Sequence, residues 1–287
     1  MRPLKDYDAD KPTWCPGCGS YAVLAALKKA VATLEIDPKD LVVVSGIGCS
    51  SRIPGFIKCY GFHGIHGRLL PVATAIKLVN PKLTVIGAGG DGDGYAIGMS
   101  HFIHTARRNV DITYIIMDNQ IYGLTKGQTS PTSLPGFVTP TTPYGSKERP
   151  VDGVALALLN GATFVARGFS GDVKKLSEIF IKAIEHKGFS FVDVLSPCVT
   201  FNKFNTYEWF KEHIQPIEED PDYNPSSRGW ALEKLLHADG IPVGIFLKER
   251  KETFEEDILK DPNHVAVEED IENRDPARFE KLIEKFV

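Results

Sequence analysis

Five short apolar runs rich in β-branched residues punctuate the chain: LVVVSG at 41–46, LTVIGAG at 83–89, ITYIIMD at 112–118, TFVARG at 163–168 and FVDVLS at 191–196. Runs this short, without polar alternation, are the pattern of strands buried on both faces and predict a parallel sheet. Between them, helical patterns occupy 19–33, 71–79, 95–108 and 172–186, with Pro71 suited to a first turn. Strand and helix alternate, so the expected fold class is α/β, a doubly wound and mainly parallel sheet. From 201 onward the pattern breaks into FNKFNTYEWFKEHIQPIEEDPDYNPSS, followed by charged helical stretches to 287. We therefore expect a domain over 1–200 and a C-terminal extension over 201–287 that packs on the core or on a contact between subunits.

Composition narrows the partners. A formal net charge of -4 argues against nucleic acid and anionic membrane, which call for clustered Lys and Arg. No apolar stretch is long enough to span a bilayer, and MRPLKDYDADKPTW lacks the apolar core of an export signal, so the expected location is cytoplasmic. Five cysteines, an odd count, point to ligands or catalytic thiols instead of a disulfide framework.

GAGGDGDGYAIG at 87–98 follows a predicted strand and opens a predicted helix. It misses the third glycine of a dinucleotide fingerprint, and no ribose-binding acid stands at a suitable place, which disfavours a nicotinamide dehydrogenase. Asp91 sits at the strand end, where a carboxylate repels a bare pyrophosphate unless a cation lies between them. Mg²⁺ takes one or two carboxylates plus phosphate oxygens, so a second protein oxygen is expected on the next strand end. Asn119 in DNQIYG (118–123) occupies that place. GDG, a gap of one helix and one strand, then Asn is the signature of enzymes that bind thiamine diphosphate. That resemblance implies Mg²⁺ held by Asp91, the Asn119 side chain and the Ile121 carbonyl, with the Gly92 and Asp93 backbone meeting the diphosphate. For Asp93 a helix N-cap is the competing reading.

The cysteines fall at strand exits and helix entries: Cys15 and Cys18 in TWCPGCGSY, Cys49 in GIGCSS, Cys198 in LSPCVT. On spacing alone, zinc completed by His63 and His66 of FHGIHGR competes with an iron–sulfur cluster, which tolerates scattered ligands. Cys59 has no companion and reads as a small buried hydrophobe.

WCPGCG, GIGCSS, HGR before a proline-bearing helix, GDGD, DNQIYGLTKGQ, SPTS and SPC, in this order over about 12–200, together resemble the beta subunit of 2-oxoacid:ferredoxin oxidoreductases. The resemblance implies the thiamine diphosphate-binding fold and one 4Fe–4S cluster on Cys15, Cys18, Cys49 and Cys198. It also implies that Ile47, Gly48, Cys49, Ser50, His66 and Gly67 line the cofactor, and that Gly123 and Leu124 follow the metal ligands. The implied reaction converts a 2-oxoacid and coenzyme A to acyl-CoA and CO₂, passing electrons through the cluster to ferredoxin. The glutamate that engages the aminopyrimidine is not found among these motifs, which implies a partner: an alpha, or fused gamma–alpha, subunit. The eight-cysteine pattern of a fused ferredoxin is also missing, so the acceptor is expected to be external.

Lys126 in YGLTKGQTSPTS is a candidate catalytic residue, pairing with the distal carboxylate of a substrate such as 2-oxoglutarate. We expect broad 2-oxoacid use, including 2-oxoglutarate and pyruvate. Arg68 reads as a phosphate or carboxylate contact, or else a helix-edge ion pair. His101 and His104, spaced i, i+3, read as packing residues. Two other functions remain: a non-redox thiamine diphosphate decarboxylase or carboligase, and a zinc-binding structural subunit.

Overall fold

The structure, a computed structural model, describes residues 1–259, 265–269 and 276–285. Among these, eight strands form one sheet in the order β2-β1-β3-β4-β6-β5-β8-β7. They are β1 Leu41–Ser45, β2 Tyr60–His63, β3 Thr84–Gly90, β4 Thr113–Asp118, β5 Phe164–Phe169, β6 Ser190–Leu195, β7 Ile214–Pro216 and β8 Ile241–Lys248. Neighbouring strands run parallel throughout except β5 and β8. All five expected strands are present, each buried along its length or nearly so.

Alternate side chains of each strand feed opposite faces. Val43, Ile115, Met117 and Val192 pack with helices α1 (Gly19–Thr33) and Val173–Glu185, the latter on the same side of the sheet. Val44, Tyr114, Ile116 and Phe191 meet α2 (Leu69–Val79) and α3 (Met99–Arg108) on the other. Phe102 anchors that second core, its ring centroid 4.7 Å from Phe191 and 5.5 Å from Tyr114.

Two sequence expectations are corrected, and one strand escapes the sequence pattern. The helix expected over 95–108 is divided: Asp93–Ile97 forms a π-helical turn, and α3 begins after Gly98. The strand β2 carries no buried position, so it leaves no apolar run to recognise. Charged helices were expected through to 287, yet Ile241–Lys248 is a strand with six consecutive buried residues. Pro242 and Gly244 interrupt its apolar run, and Gly244 adopts φ 138°. Strands β7 and β8 thus extend the same sheet, while Tyr207–His213, Arg228–His237, Phe254–Ile258 and Pro276–Ile283 are helical as expected; residues 260–264, 270–275 and 286–287 of the extension lie outside the described residues. No helix among the described residues is long and apolar enough to cross a membrane.

The chain leaves β1 toward β2 on one side and returns to β3 on the other. Strand order therefore reverses between β1 and β3, and the loops beyond their C-terminal ends open a crevice there.

Candidate active site

Two cavities occupy that rim. The first is lined by Ile47, Gly48, Cys49 and Ser50 after β1, His66 after β2, Gly90–Asp93 after β3, and Asn119 with Ile121–Thr125 after β4. The second, about 210 Å³, is lined by Cys15, Cys18, Cys49 and Cys198, with Lys126, Arg52 and Phe201 among its other walls. Cys49, Asn119, Gly123 and Leu124 belong to both. Gly123 stands in the wall they share: a Cβ there would lie 3.6 Å from Cys198 Sγ and 3.7 Å from Cys49 Sγ.

Asp91, distant in sequence from Asn119 and Ile121, thus shares one cavity with them. Asp91 is 2% exposed, and burial pushes its carboxyl up to about 6. Its Oδ2 lies 2.7 Å from Thr132 Oγ1, which also stands 2.7 Å from Asp118 Oδ1. A threonine hydroxyl has one proton to donate, so two carboxylates cannot both be satisfied by it. Burial, followed by the nearby Asp91 and Asp193 charges, raises Asp118 well above the usual carboxylate range. Burial thus favours the protonated form more at Asp118 than at Asp91, and Asp91 is the carboxyl of the two that faces the cavity. A cation there would offset the cost of burying that charge, and a carboxylate, an amide oxygen and a carbonyl are an all-oxygen set that suits Mg²⁺. Sequence reasoning missed Thr132 and Asp118. The SPTS motif was visible, but not its return onto the β3 and β4 exits.

Asp93 corrects the N-cap reading. Its carboxylate caps nothing in its own helical turn. Instead Oδ1 accepts N–H groups from Ile47 (2.9 Å) and Gly67 (2.8 Å), joining the loops after β1 and β2 to the glycine loop. Gly46 makes room for it, since a Cβ there would fall 2.0 Å from Asp93 Oδ2. His66 Nδ1 stands 3.5 Å from the same carboxylate.

The four cavity thiols interact electrostatically. Burial, and then the neighbouring thiols, push Cys49 up to about 11, and burial likewise raises Cys18. Free, Cys18 and Cys49 hold their protons; ligating a metal would release them. No three His, Cys, Asp or Glu side chains among the described residues converge on a single ion. Four thiols spread around one cavity suit a polynuclear cluster, in which each iron takes one thiolate. The zinc set is not assembled. His63 Nδ1 is engaged at 2.9 Å by both Ser45 Oγ and Ser51 O, while His66 lines the other cavity. Cys59 packs against the α1 side of the core, and burial pushes it up to about 11.

Lys126 is exposed, adopts φ 72° and lines the thiol cavity. The Arg68 guanidinium donates to the Ile97 carbonyl at 3.3 Å and reaches neither cavity. His101 and His104 lie on α3, away from both.

Comparison with known proteins gives a consistent picture. Residues 46–194 match the thiamine pyrophosphate enzyme, C-terminal TPP binding domain, and residues 198–260 match the C-terminal part of the pyruvate ferredoxin oxidoreductase beta subunit. The beta subunit of 2-oxoacid:ferredoxin oxidoreductase 1 from Aeropyrum pernix is 42% identical over 96% of this chain and 93% of its own. The 2-oxoglutarate synthase subunit KorB of Methanocaldococcus jannaschii is 41% identical over 86% and 91%. A solved structure of 2-oxoglutarate:ferredoxin oxidoreductase from Magnetococcus marinus, with 2-oxoglutarate, coenzyme A and succinyl-CoA bound, superimposes with a TM-score of 0.90 at 41% identity, covering 98% and 96% of the two chains.

Proposed function

Because the chain belongs to the beta subunits of the 2-oxoacid:ferredoxin oxidoreductases, we propose that it carries the thiamine diphosphate, Mg²⁺ and 4Fe–4S groups of an enzyme that oxidises 2-oxoglutarate first and pyruvate second. A 2-oxoacid and coenzyme A yield acyl-CoA and CO₂; two electrons reduce two ferredoxins, and the thiol proton is released. Similarity to 2-oxoglutarate synthase subunits, and to the structure with 2-oxoglutarate and succinyl-CoA, supports that order of substrates.

One observation carries the reading: the cavity of Asp91, Asn119 and Ile121 and the cavity of four thiols share a wall at Gly123. Thiamine diphosphate, when bound, supplies a nucleophilic carbon and an electron sink, and a cluster supplies one-electron acceptance. The residues of this chain orient these groups. Asp91, the Asn119 side chain and the Ile121 carbonyl are assigned to Mg²⁺, and the backbone of Gly92 and Asp93 to the diphosphate. Ile47–Ser50, His66, Gly123 and Leu124, which line the first cavity, are assigned to the cofactor, and so is Gly67, which is not in that lining and whose N–H donates to Asp93. Cys15, Cys18, Cys49 and Cys198 are assigned to the cluster. Lys126, at the mouth of the thiol cavity, is assigned to the distal carboxylate of 2-oxoglutarate.

A beta subunit implies an alpha, or fused gamma–alpha, partner, which we assign the missing glutamate. Ferredoxin is assigned as the external acceptor and the cytoplasm, where thiols stay reduced, as the compartment. The test is metal and cofactor content of the enzyme purified anaerobically with its partner, followed by ferredoxin reduction with each 2-oxoacid. We expect about four irons and four sulfides per chain, with 2-oxoglutarate preferred. Stoichiometric zinc without sulfide overturns the redox assignment.

A further inference from the structure

We propose that Ser20 sets the reduction potential of the cluster by donating a hydrogen bond to the Cys18 sulfur. The inference rests on the cluster reading above and asks what surrounds each ligand once it is a thiolate.

Cys18 is the residue from which α1 springs, and the helix runs 15 residues from it. Its sulfur lies 3.5 Å from Ser20 Oγ. Among the described residues no other side chain hydrogen-bonds to any of the four cavity thiols. In the free protein the Cys18 thiol donates and the Ser20 hydroxyl accepts. Ligation removes the thiol proton and reverses the roles. The Ser20 side chain is 4% exposed and bonds to nothing else in the described structure, so its hydroxyl turns to the sulfur, the acceptor within reach.

Taking up one electron adds one negative charge to a cluster and its thiolates. Hydrogen-bond donors and the positive end of a helix stabilise the more negative state, which raises the potential. Ser20 supplies a hydroxyl at one sulfur, which also stands at the first turn of α1, whereas the other three thiols have no side-chain donor among the described residues. Ser20 thus makes the cluster a better acceptor for electrons from the 2-oxoacid and a weaker donor to ferredoxin.

The experiment is an EPR-monitored redox titration of the assembled enzyme and of Ser20→Ala. Alanine keeps the helix and removes only the hydroxyl. The midpoint should move negative, so that at a fixed poise the ratio of reduced to oxidised cluster falls several-fold, with about tenfold (~59 mV) as the ceiling. An unchanged midpoint in a variant with full iron and sulfide overturns the role of Ser20. Wild-type enzyme without iron and sulfide overturns the cluster reading itself. If Ser20→Ala fails to retain iron, the wild type decides. Brief exposure to D₂O, which exchanges a hydroxyl before a helix amide, should replace one proton coupled to the reduced cluster, and its absence overturns the proposal.

Discussion

Thr132 Oγ1 and Asp91 Oδ2 meet at 2.7 Å, and the same hydroxyl stands 2.7 Å from Asp118. Thr132 thereby holds in place the one carboxylate of the expected Mg²⁺ site while sharing a proton with its buried neighbour. Thr132→Val keeps the shape and removes the hydroxyl. We expect Mg²⁺ affinity to fall about 10–100-fold, the usual cost of losing a supporting contact to a metal ligand. Isothermal titration of the enzyme stripped of Mg²⁺ checks this, and unchanged affinity would separate Asp91 from the metal.

The thiols should divide four against one. Cys198→Ser should lower iron below about four per chain or convert the cluster, because one iron loses its thiolate. Cys59→Ser, off the cavity and packed against the core, should leave iron and sulfide unchanged. Elemental analysis with EPR reads both variants, and the reverse pattern would mean that the wrong four thiols have been assigned.

Lys126 sits at φ 72°, a backbone conformation that suits glycine better than lysine. Lys126→Gly should therefore leave Tm unchanged or raise it. At the same time kcat/KM for 2-oxoglutarate should fall roughly three- to tenfold more than for pyruvate, the range of an exposed ion pair with some desolvation. Equal losses on both substrates would count against pairing with the distal carboxylate.

His186 carries a pH dependence remote from the site. Burial, then the nearby Lys248 charge, pushes it down from 6.5 to about 4. The Thr163 hydroxyl donates to Asn109 Oδ1 at 2.7 Å, so the neutral ring must donate from Nε2 to Thr163 Oγ1 at 2.8 Å. A depressed folded value means that the unfolded chain takes up the proton first. Stability is therefore fully present above about 6.5 and is lost as pH falls toward about 4. In denaturation curves from pH 4 to 8, the wild type should lose stability across that window more steeply than His186→Gln. Parallel curves would refute the assignment.

What the sequence discloses follows burial. The strands β1 and β3 to β6 lie between two helical layers, so their apolar runs are nearly continuous and legible. The exposed β2 has no such run, and β8 hides behind Pro242 and Gly244. In the site, Asp91 and Asn119 are readable because strand ends fall at regular places along an α/β chain. Asp93 reaching Ile47 and Gly67, or Thr132 reaching Asp91 and Asp118, depends on loops folding back over one another. Local periodicity carries no record of that.

The antiparallel pairing of β5 with β8 also sets a timetable for synthesis. Strands β1 to β6 lie within residues 41–195, so most of the sheet can assemble while the ribosome is still adding the remainder. One side of β5 waits, its backbone groups open, until Ile241–Lys248 emerges. At roughly 5–20 residues per second that interval lasts several seconds, during which the nascent chain presents a sticky border to its neighbours. A ribosome that stalls between 200 and 240 would release a molecule with both cavities largely formed and that border still uncovered.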